Sequence, residues 1–447
     1  MSQRSQLNRR AFLKRTGLTA VAGAVGSTSP HPLWASGRQS ARSGFDFDTV
    51  YSRLGTNSSK WDAQIARYGQ EAIEVGMGTA DQDFKIAPPI TAALRRRVDH
   101  ENYGYMTVPD SYRESIVDWN RRRYDLDIAP DSLLHTAGVH PGIISTLRAF
   151  CPPGSKVILQ TPGYNGFYTD LRVVGCVAEE SPLRLVNGRY QMDFEDLERR
   201  IDHDTHAFIL CNPHNPTGNV WSRDDLMTLG SICTRRRVIV LSDEIHCDFV
   251  TRGNSYTPYA TLEDEDVVRN SVTYKSVSKS FNLSAMRCAY LFSTNPDYLE
   301  RIRDAGQHQQ AMNTLAIVAA ESAYNECEDW LDALLDYIDG TQDLVEAFVQ
   351  SHLPEVKAVK PEGTYLSWLD VRSALDKIGA TTTAATSSEE TPEEIFQRFL
   401  VDHARIHINP GSSYGLGGAG HMRMNIATSR QLVEAALTNM ASALASA

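Results

Sequence analysis

Apolar residues along this chain gather in short unbroken runs, separated by longer stretches of mixed character. The runs are "KVILQTP" (156–162), "AFILCNP" (207–213), "RVIVLSDE" (237–244), "SVTYKSVS" (271–278) and "CAYLFST" (288–294). Together they are rich in β-branched and aromatic residues, and each ends at polar residues or proline, the pattern of a strand buried on both faces. The segments between them carry helical spacing. Asp110, for example, is followed by Tyr112, Ile116 and Trp119 on one helical face. Strands alternating with helices predict an α/β fold whose mostly parallel sheet is covered on both sides.

The pattern shifts after about residue 320. Helical periodicity dominates there, with one clear strand at "GTYLSWLDV" (363–371). The expected organisation is a large α/β domain over 85–320 and a smaller α+β domain. The smaller one draws on an N-terminal arm at 36–84 and on the C-terminal segment 321–447. The low-complexity stretch "ATTTAATSSEE" (380–390) predicts a mobile surface loop. It runs into "TPEE", where Thr391 suits the N-cap, Pro392 the first helical position and Glu394 the third, a capping box.

Charge and cysteine usage narrow the partners. The formal net charge of −11 offers no basic surface to nucleic acid or an anionic membrane. The first 45 residues contain no Asp or Glu. Within them "NRRAFLKR" (Asn8 to Arg15) precedes the weakly apolar, Gly/Ala-rich "TGLTAVAGAVGS", an order of features that resembles a bacterial twin-arginine export signal. That run is too short and too glycine-rich for a transmembrane helix. "PLWAS" suggests cleavage after Ala35, which would move the charge to about −16. The expectation is therefore a signal peptide over 1–35, the twin-arginine machinery as a partner and a periplasmic or extracytoplasmic location, with a cytoplasmic one as the alternative. Seven cysteines without a C-x-x-C pair read as small core residues, not as a disulfide framework or metal site.

Chemistry enters at the strand ends, where ligands of open α/β sheets collect. "AFILC" leads into "NPHNPTG", "RVIVL" into "SDEIH" and "SVTY" into "KSVSKS". Three consecutive strand ends thus bring Asn215, Asp243 and Lys279 toward one crevice. Taken singly, these are a turn asparagine, a helix-capping aspartate and a surface lysine. Together they are what a pyridine aldehyde cofactor needs. A lysine bonds the aldehyde, a carboxylate keeps the ring nitrogen protonated so that the ring accepts electrons, and an amide donates to the phenolic oxygen.

"HNPTG", "SDEIH", "SVSKSFNLSAMR" and "MRMNIATSR" resemble the fold-type I pyridoxal-5′-phosphate enzymes of the class I/II aminotransferase family, over roughly residues 45 to 445. Within it, "ADQDF", "GYNGFY" after "QTP", "DEIHCDF" and "PEGTYLSWLD" look most like the cystathionine β-lyase branch, the cysteine-S-conjugate β-lyases of MalY/PatB type. The resemblance implies that Lys279 forms the Schiff base, Asp243 faces the ring nitrogen, Asn215 the phenolic oxygen and Tyr164 the ring face. His246 stands where many aminotransferases have tyrosine and this branch has histidine. Ser276, Ser278 and Arg287 would bind the phosphate, joined by the backbone donors of Gly138, Val139 and His140 at a helix start. Where the family more often has an apolar residue, this chain has His140, whose side-chain role stays open. Tyr105 would reach the phosphate of a neighbouring subunit, implying a homodimer with shared sites. Arg423 would grip the substrate carboxylate by two-point binding.

Two reactions share these parts. Expulsion of a thiolate from Cβ gives pyruvate, ammonia and a thiol; return of the proton to the cofactor gives transamination. The branch resemblance favours C–S β-elimination on an L-cysteine S-conjugate such as cystathionine, with an L-amino-acid aminotransferase as the alternative. A non-catalytic regulator or binding protein on the same fold comes third, since both Lys279 and Asp243 are present. One departure bears on the substrate: the branch commonly has Trp-Val before its Ala-Asp-x-Asp-Phe element, whereas this chain has Gly78-Thr79.

Overall fold

The computed structural model describes residues 44–306, 312–386 and 389–447. The signal peptide expected over 1–35 lies outside the described residues. The apolar runs form a seven-stranded sheet. Its strands in chain order are β1 (Leu133–Thr136), β2 (Lys156–Thr161), β3 (Val177–Pro182), β4 (Thr205–Cys211), β5 (Ile239–Asp243), β6 (Ser271–Lys275) and β7 (Ala289–Phe292). They lie side by side in the order β1-β7-β6-β5-β4-β2-β3, with β7 antiparallel to both neighbours and every other pairing parallel.

The alternation along these strands explains why both faces are dry. Val157, Leu159, Ala207, Ile209, Ile239 and Leu241 join one apolar cluster with Ile143 and Leu147. Their neighbours Ile158, Phe208, Leu210 and Val240 join another with Trp221, Leu226 and Leu229. A period of two sends successive side chains to opposite faces, and each face is covered by helices, as the unbroken apolar runs require. The helix expected after Asp110 runs over α1 (Asp110–Tyr124) and buries Tyr112, Ile116 and Trp119. All seven cysteines are buried free thiols.

A second, four-stranded antiparallel sheet carries the late chemistry. Its strands are β8 (Lys357–Ala358), β9 (Leu366–Asp370), β10 (Asn409–Pro410) and β11 (His421–Asn425), in the order β8-β9-β11-β10. Early and late sequence also meet where Val75–Gly76 pairs in parallel with Ile406–His407. The short segment that follows Gly76 is thereby laid beside β11, with Asn425 N–H donating to Met77 O (2.8 Å).

One expectation is corrected. The stretch beginning at Ala380 is not a loop over its first turns but a helix, Ala380–Thr386. Low complexity concealed that three of its seven residues are alanine, the best helix former. Ala380 is fully buried, and the Thr383 hydroxyl bonds back to Gly379 O (2.9 Å). The following helix, Pro392–Phe399, starts with the expected capping box between Thr391 and Glu394.

Candidate active site

Lys279 sits in a one-turn helix, Val277–Ser280, directly after β6. Ser276 caps that turn by accepting the Ser278 N–H (3.0 Å). The turn is pinned from two sides: Gln82 Nε2 donates to Lys279 O (2.5 Å), and the Ser280 hydroxyl donates to Asp248. The amine itself donates to Ala80 O (2.7 Å). Removal from water and the nearby Arg423 cation lower its pKa to about 8, against the opposing pull of Asp81 and Asp243. A lysine so placed supplies neutral amine near neutral pH, the form that attacks an aldehyde.

Asp243 is the last residue of β5, beside Cys211 at the end of β4 and Tyr274 on β6. It is buried, and its Oδ1 accepts the Ile245 N–H (3.1 Å). Burial pushes the carboxyl up to about 6, with Ile245 N–H, His140 and Lys279 pulling the other way. Such a group is primed for a cationic partner, because a neighbouring positive charge repays the desolvation of the carboxylate. Asn215, in the turn after β4, is buried and accepts from Arg423 Nη1 through Oδ1 (3.1 Å). Its amide hydrogens are thereby the part turned away from the guanidinium.

Arg423 on β11 is 3% exposed, so it is not a surface ion pair. Besides Asn215 it donates through Nη2 to Gly78 O (2.8 Å), its guanidinium carbon lies 5.1 Å from the centre of the Tyr414 ring, and Nε has no partner. Among the described residues no carboxylate pairs with it. A buried guanidinium held by neutral groups, with a donor unfilled, fits a site for an incoming carboxylate.

His246 is buried, with its ring edge-on to Tyr365 at 5.6 Å and Nδ1 unpartnered. Burial, then the charges of Lys279 and Arg423, hold its pKa well below the ordinary value, so the imidazole stays neutral. Tyr164 follows β2 and is half-buried; burial raises its phenol to about 12, with Arg423 lowering and Asp243 raising it. Gly138 precedes the helix Val139–Phe150 at φ +128°, a conformation that favours glycine, and no side chain caps that helix. Pro141 has no N–H, and Gly142 N–H bonds to Gly138 O (3.3 Å). The donors left for an anion are those at Val139 and His140 with Gly138 before them.

Other expected phosphate groups stand differently. The Ser276 hydroxyl reaches Cys288 O (2.6 Å) and Ser278 Oγ (2.7 Å), so both serines face each other within the turn. Arg287 is exposed at φ +60°, and Tyr105 stands fully in solvent. Among the described residues no hydrogen bond or ion pair joins either of them to the crevice.

Sequence reasoning marked Gly78-Thr79 and the "ADQDF" after it only as bearing on the substrate, and missed that the segment Gly78 to Gln82 straps the crevice through its backbone. Each of its carbonyls is taken by a side chain. Gly78 O accepts from Arg423 and Asn409, Thr79 O from Asn425, and Ala80 O from Lys279 and Tyr365. Asp81 O accepts from Lys60 and Asn425, and Gln82 O from Asn282 and Arg53. Beneath it Lys60, Arg53, Asp81 and Asp83 form a largely buried ionic cluster, and Trp61 Nε1 donates to Asp83 (3.0 Å). The strap also explains Gly78: a Cβ there would lie 2.6 Å from Asn409 Oδ1 and 2.7 Å from His407 Nδ1. Asp170, Tyr365 and Tyr414 were missed as well. The one available signal was Gly166 four residues before Asp170 in a helix, which puts both on one face.

Set against known proteins, residues 74–440 match the family model described as aminotransferase class I and II. The chain is 35% identical over 405 residues to cystathionine beta-lyase PatB of Bacillus subtilis, covering 89% of this chain and 100% of that one. It is 28% identical to protein MalY of Escherichia coli, covering 90% and 99%. The crystal structure of cystalysin from Treponema denticola, which contains a pyridoxal 5′-phosphate cofactor, superposes with a TM-score of 0.82 at 30% identity, covering 90% of this chain and 99% of that one. With Lys279, Asp243 and Asn215 at strand ends of the seven-stranded sheet and Arg423 of β11 bonded to Asn215, the chain belongs to the class I and II aminotransferase family.

Proposed function

We propose that the protein is a pyridoxal-5′-phosphate-dependent C–S β-lyase acting on an L-cysteine S-conjugate such as cystathionine. The observation that carries this is the convergence of Lys279, Asp243, Asn215 and Arg423 in one crevice, in a chain 35% identical to a cystathionine beta-lyase. The donor set fits the cofactor. Lys279 meets its aldehyde, Asp243 its ring nitrogen and Asn215 its phenolic oxygen, while the start of the helix Val139–Phe150 suits its phosphate. When bound, the cofactor supplies an electron sink for the pair released as the substrate's Cα proton leaves.

The chain's own groups do the rest. Arg423 holds the substrate carboxylate, and Asn215 and Gly78 O fix the plane of its guanidinium. Lys279 Nζ, with its depressed pKa, is the base that takes the Cα proton. His246 stays neutral and adds no charge to the pocket. Release of a thiolate from Cβ, followed by hydrolysis with one water molecule, gives a thiol, pyruvate and ammonia.

The test is direct. Purified protein should bind the cofactor with a visible absorption band that Lys279→Ala lacks, and should release pyruvate from cystathionine without a keto acid. Keto-acid-dependent amino exchange with no pyruvate would reject the lyase and leave the aminotransferase. We further propose that two copies assemble so that Tyr105 reaches the neighbouring phosphate. A monomer by light scattering, or unaltered cofactor affinity in Tyr105→Phe, would count against this.

A further inference from the structure

His140 has no part in the chemistry above except through its backbone, yet its side chain is built into the crevice. Nδ1 lies 2.6 Å from Asp170 Oδ2, and Nε2 lies 3.4 Å from Tyr164 Oη. Among the described residues His140 is the one side-chain partner of the Asp170 carboxylate. Gly166, one turn before Asp170 on the helix Gly166–Val174, makes room for both rings. A Cβ at 166 would fall 2.5 Å from Tyr164 Cε1 and 2.7 Å from His140 Cε1. The Asp170 side chain is 5% exposed and that of His140 42%, so the pair has one buried end and one open end. An imidazole whose only role was packing would need neither the buried carboxylate nor the glycine.

A buried carboxylate against Nδ1 keeps a hydrogen there and turns Nε2 toward Tyr164. We propose that Asp170 and His140 are positioning residues that set which way the Tyr164 hydroxyl hydrogen points. With the imidazole protonated, Nε2–H donates to Tyr164 Oη and the phenol hydrogen turns into the crevice. With it neutral, Nε2 accepts the phenol hydrogen and Oη presents lone pairs instead. The consequence rests on the C–S lyase assignment: negative charge growing on a departing sulfur meets a hydrogen from Tyr164 only in the protonated state.

The groups facing the imidazole are Asp170 from the helix Gly166–Val174, Tyr164 from the turn after β2, Asp243 from the end of β5 and Lys279 from the turn after β6. Burial lowers the imidazole's pKa and Lys279 lowers it further, but the Asp170 bond and the charges of Asp170 and Asp243 outweigh both. His140 therefore titrates above its ordinary value. Arg423 faces Tyr164 from β11 and favours electron density on its oxygen. Turnover that needs the phenol hydrogen thus falls as pH rises through the titration of His140.

The experiment uses protein labelled in its histidine rings, with the His140 signal assigned by its loss in His140→Gln. In cofactor-free protein His140 should titrate above 6.5 in wild type and below 6.5 in Asp170→Asn. With cofactor and cystathionine, His140→Gln should lower kcat about tenfold, the value of one charge-assisted hydrogen bond, with KM and the visible band unchanged. The alkaline limb belonging to His140 should vanish in that variant and in Tyr164→Phe, and move to lower pH in Asp170→Asn. Identical His140 titration in wild type and Asp170→Asn would overturn the proposal, as would superposable pH profiles of wild type and His140→Gln. Wild type that releases no pyruvate sinks the lyase assignment alone, because the histidine titration needs no substrate.

Discussion

Asp243→Asn should stabilise the cofactor-free protein while destroying its activity, and the size of the first effect follows from burial. The folded-state pKa of Asp243 stands at about 6 against 3.8 for the free side chain, a difference set by desolvation. The folded state therefore binds this proton more tightly than the unfolded chain. Stability falls as pH rises from about 4 to about 6, and the whole loss persists above that window. At 1.36 kcal/mol per tenfold, ionisation in the fold costs about 3 kcal/mol at pH 8. Asparagine removes the charge but keeps an oxygen for the Ile245 N–H, so the penalty goes and the hydrogen bond stays. A unit of roughly 400 residues unfolds with about 0.8 kcal/mol/K of entropy, which converts the gain to about 3–4 °C in Tm. The assay is calorimetry of resolved, cofactor-free wild type and variant from pH 4 to pH 8. The two should coincide near pH 4 and separate to full size by pH 7, with the variant higher. In the presence of cofactor the order of merit reverses. A neutral amide cannot hold the ring nitrogen protonated, and activity should drop by at least about 100-fold. Equal Tm values at pH 8, or a variant less stable there, would refute the assignment of Asp243 as a carboxylate strained by burial and relieved by a cation.

Two further outcomes follow from the same geometry, and a third from the sequence of the first 35 residues alone. Cofactor uptake by resolved protein should speed up as pH rises through about 8, where Lys279 loses its proton, and run about tenfold slower at pH 7 than on the plateau; stopped-flow absorbance that is flat from pH 6 to 9 would contradict it. Gly78→Ala should displace the strap from Arg423, because its Cβ would strike Asn409 and His407; KM should rise about tenfold with the visible band retained, and an unchanged KM would show that Gly78 O does not hold the guanidinium. Replacing Arg9 and Arg10 together with lysine should retain the protein in the cytoplasm of an export-competent host, and unaltered secretion measured by fractionation would exclude the twin-arginine route.

What could be read in advance was whatever residue type and period encode directly. Apolar-rich runs located β2, β4, β5 and β7, because a strand buried on both faces carries mostly apolar side chains. The same reading located β6, although buried Ser271, Thr273 and Lys275 alternate with its apolar residues. Asn215, Asp243 and Lys279 were legible for a related reason: each stands at the end of such a run or within four residues of it, and strand ends are where polar groups become reachable. Arg423 was legible only through resemblance, and its burial and missing carboxylate required the structure. The strap at Gly78 to Gln82 was invisible in its essentials. Its function lies in five backbone carbonyls, which every residue possesses, and the side chains that hold them come from positions as distant as 53 and 425. No local pattern records such partners. The Asp170–His140–Tyr164 arrangement is the intermediate case. Gly166 and Asp170 share a helical face, so their spacing was present in the sequence, but nothing there said that His140 from another helix would fill the notch. Helix-start donors serve an anion through the backbone and leave the side chain at that position free to vary. Of the residues at that helix start, His140 is the one whose imidazole the structure places between a buried carboxylate and the crevice.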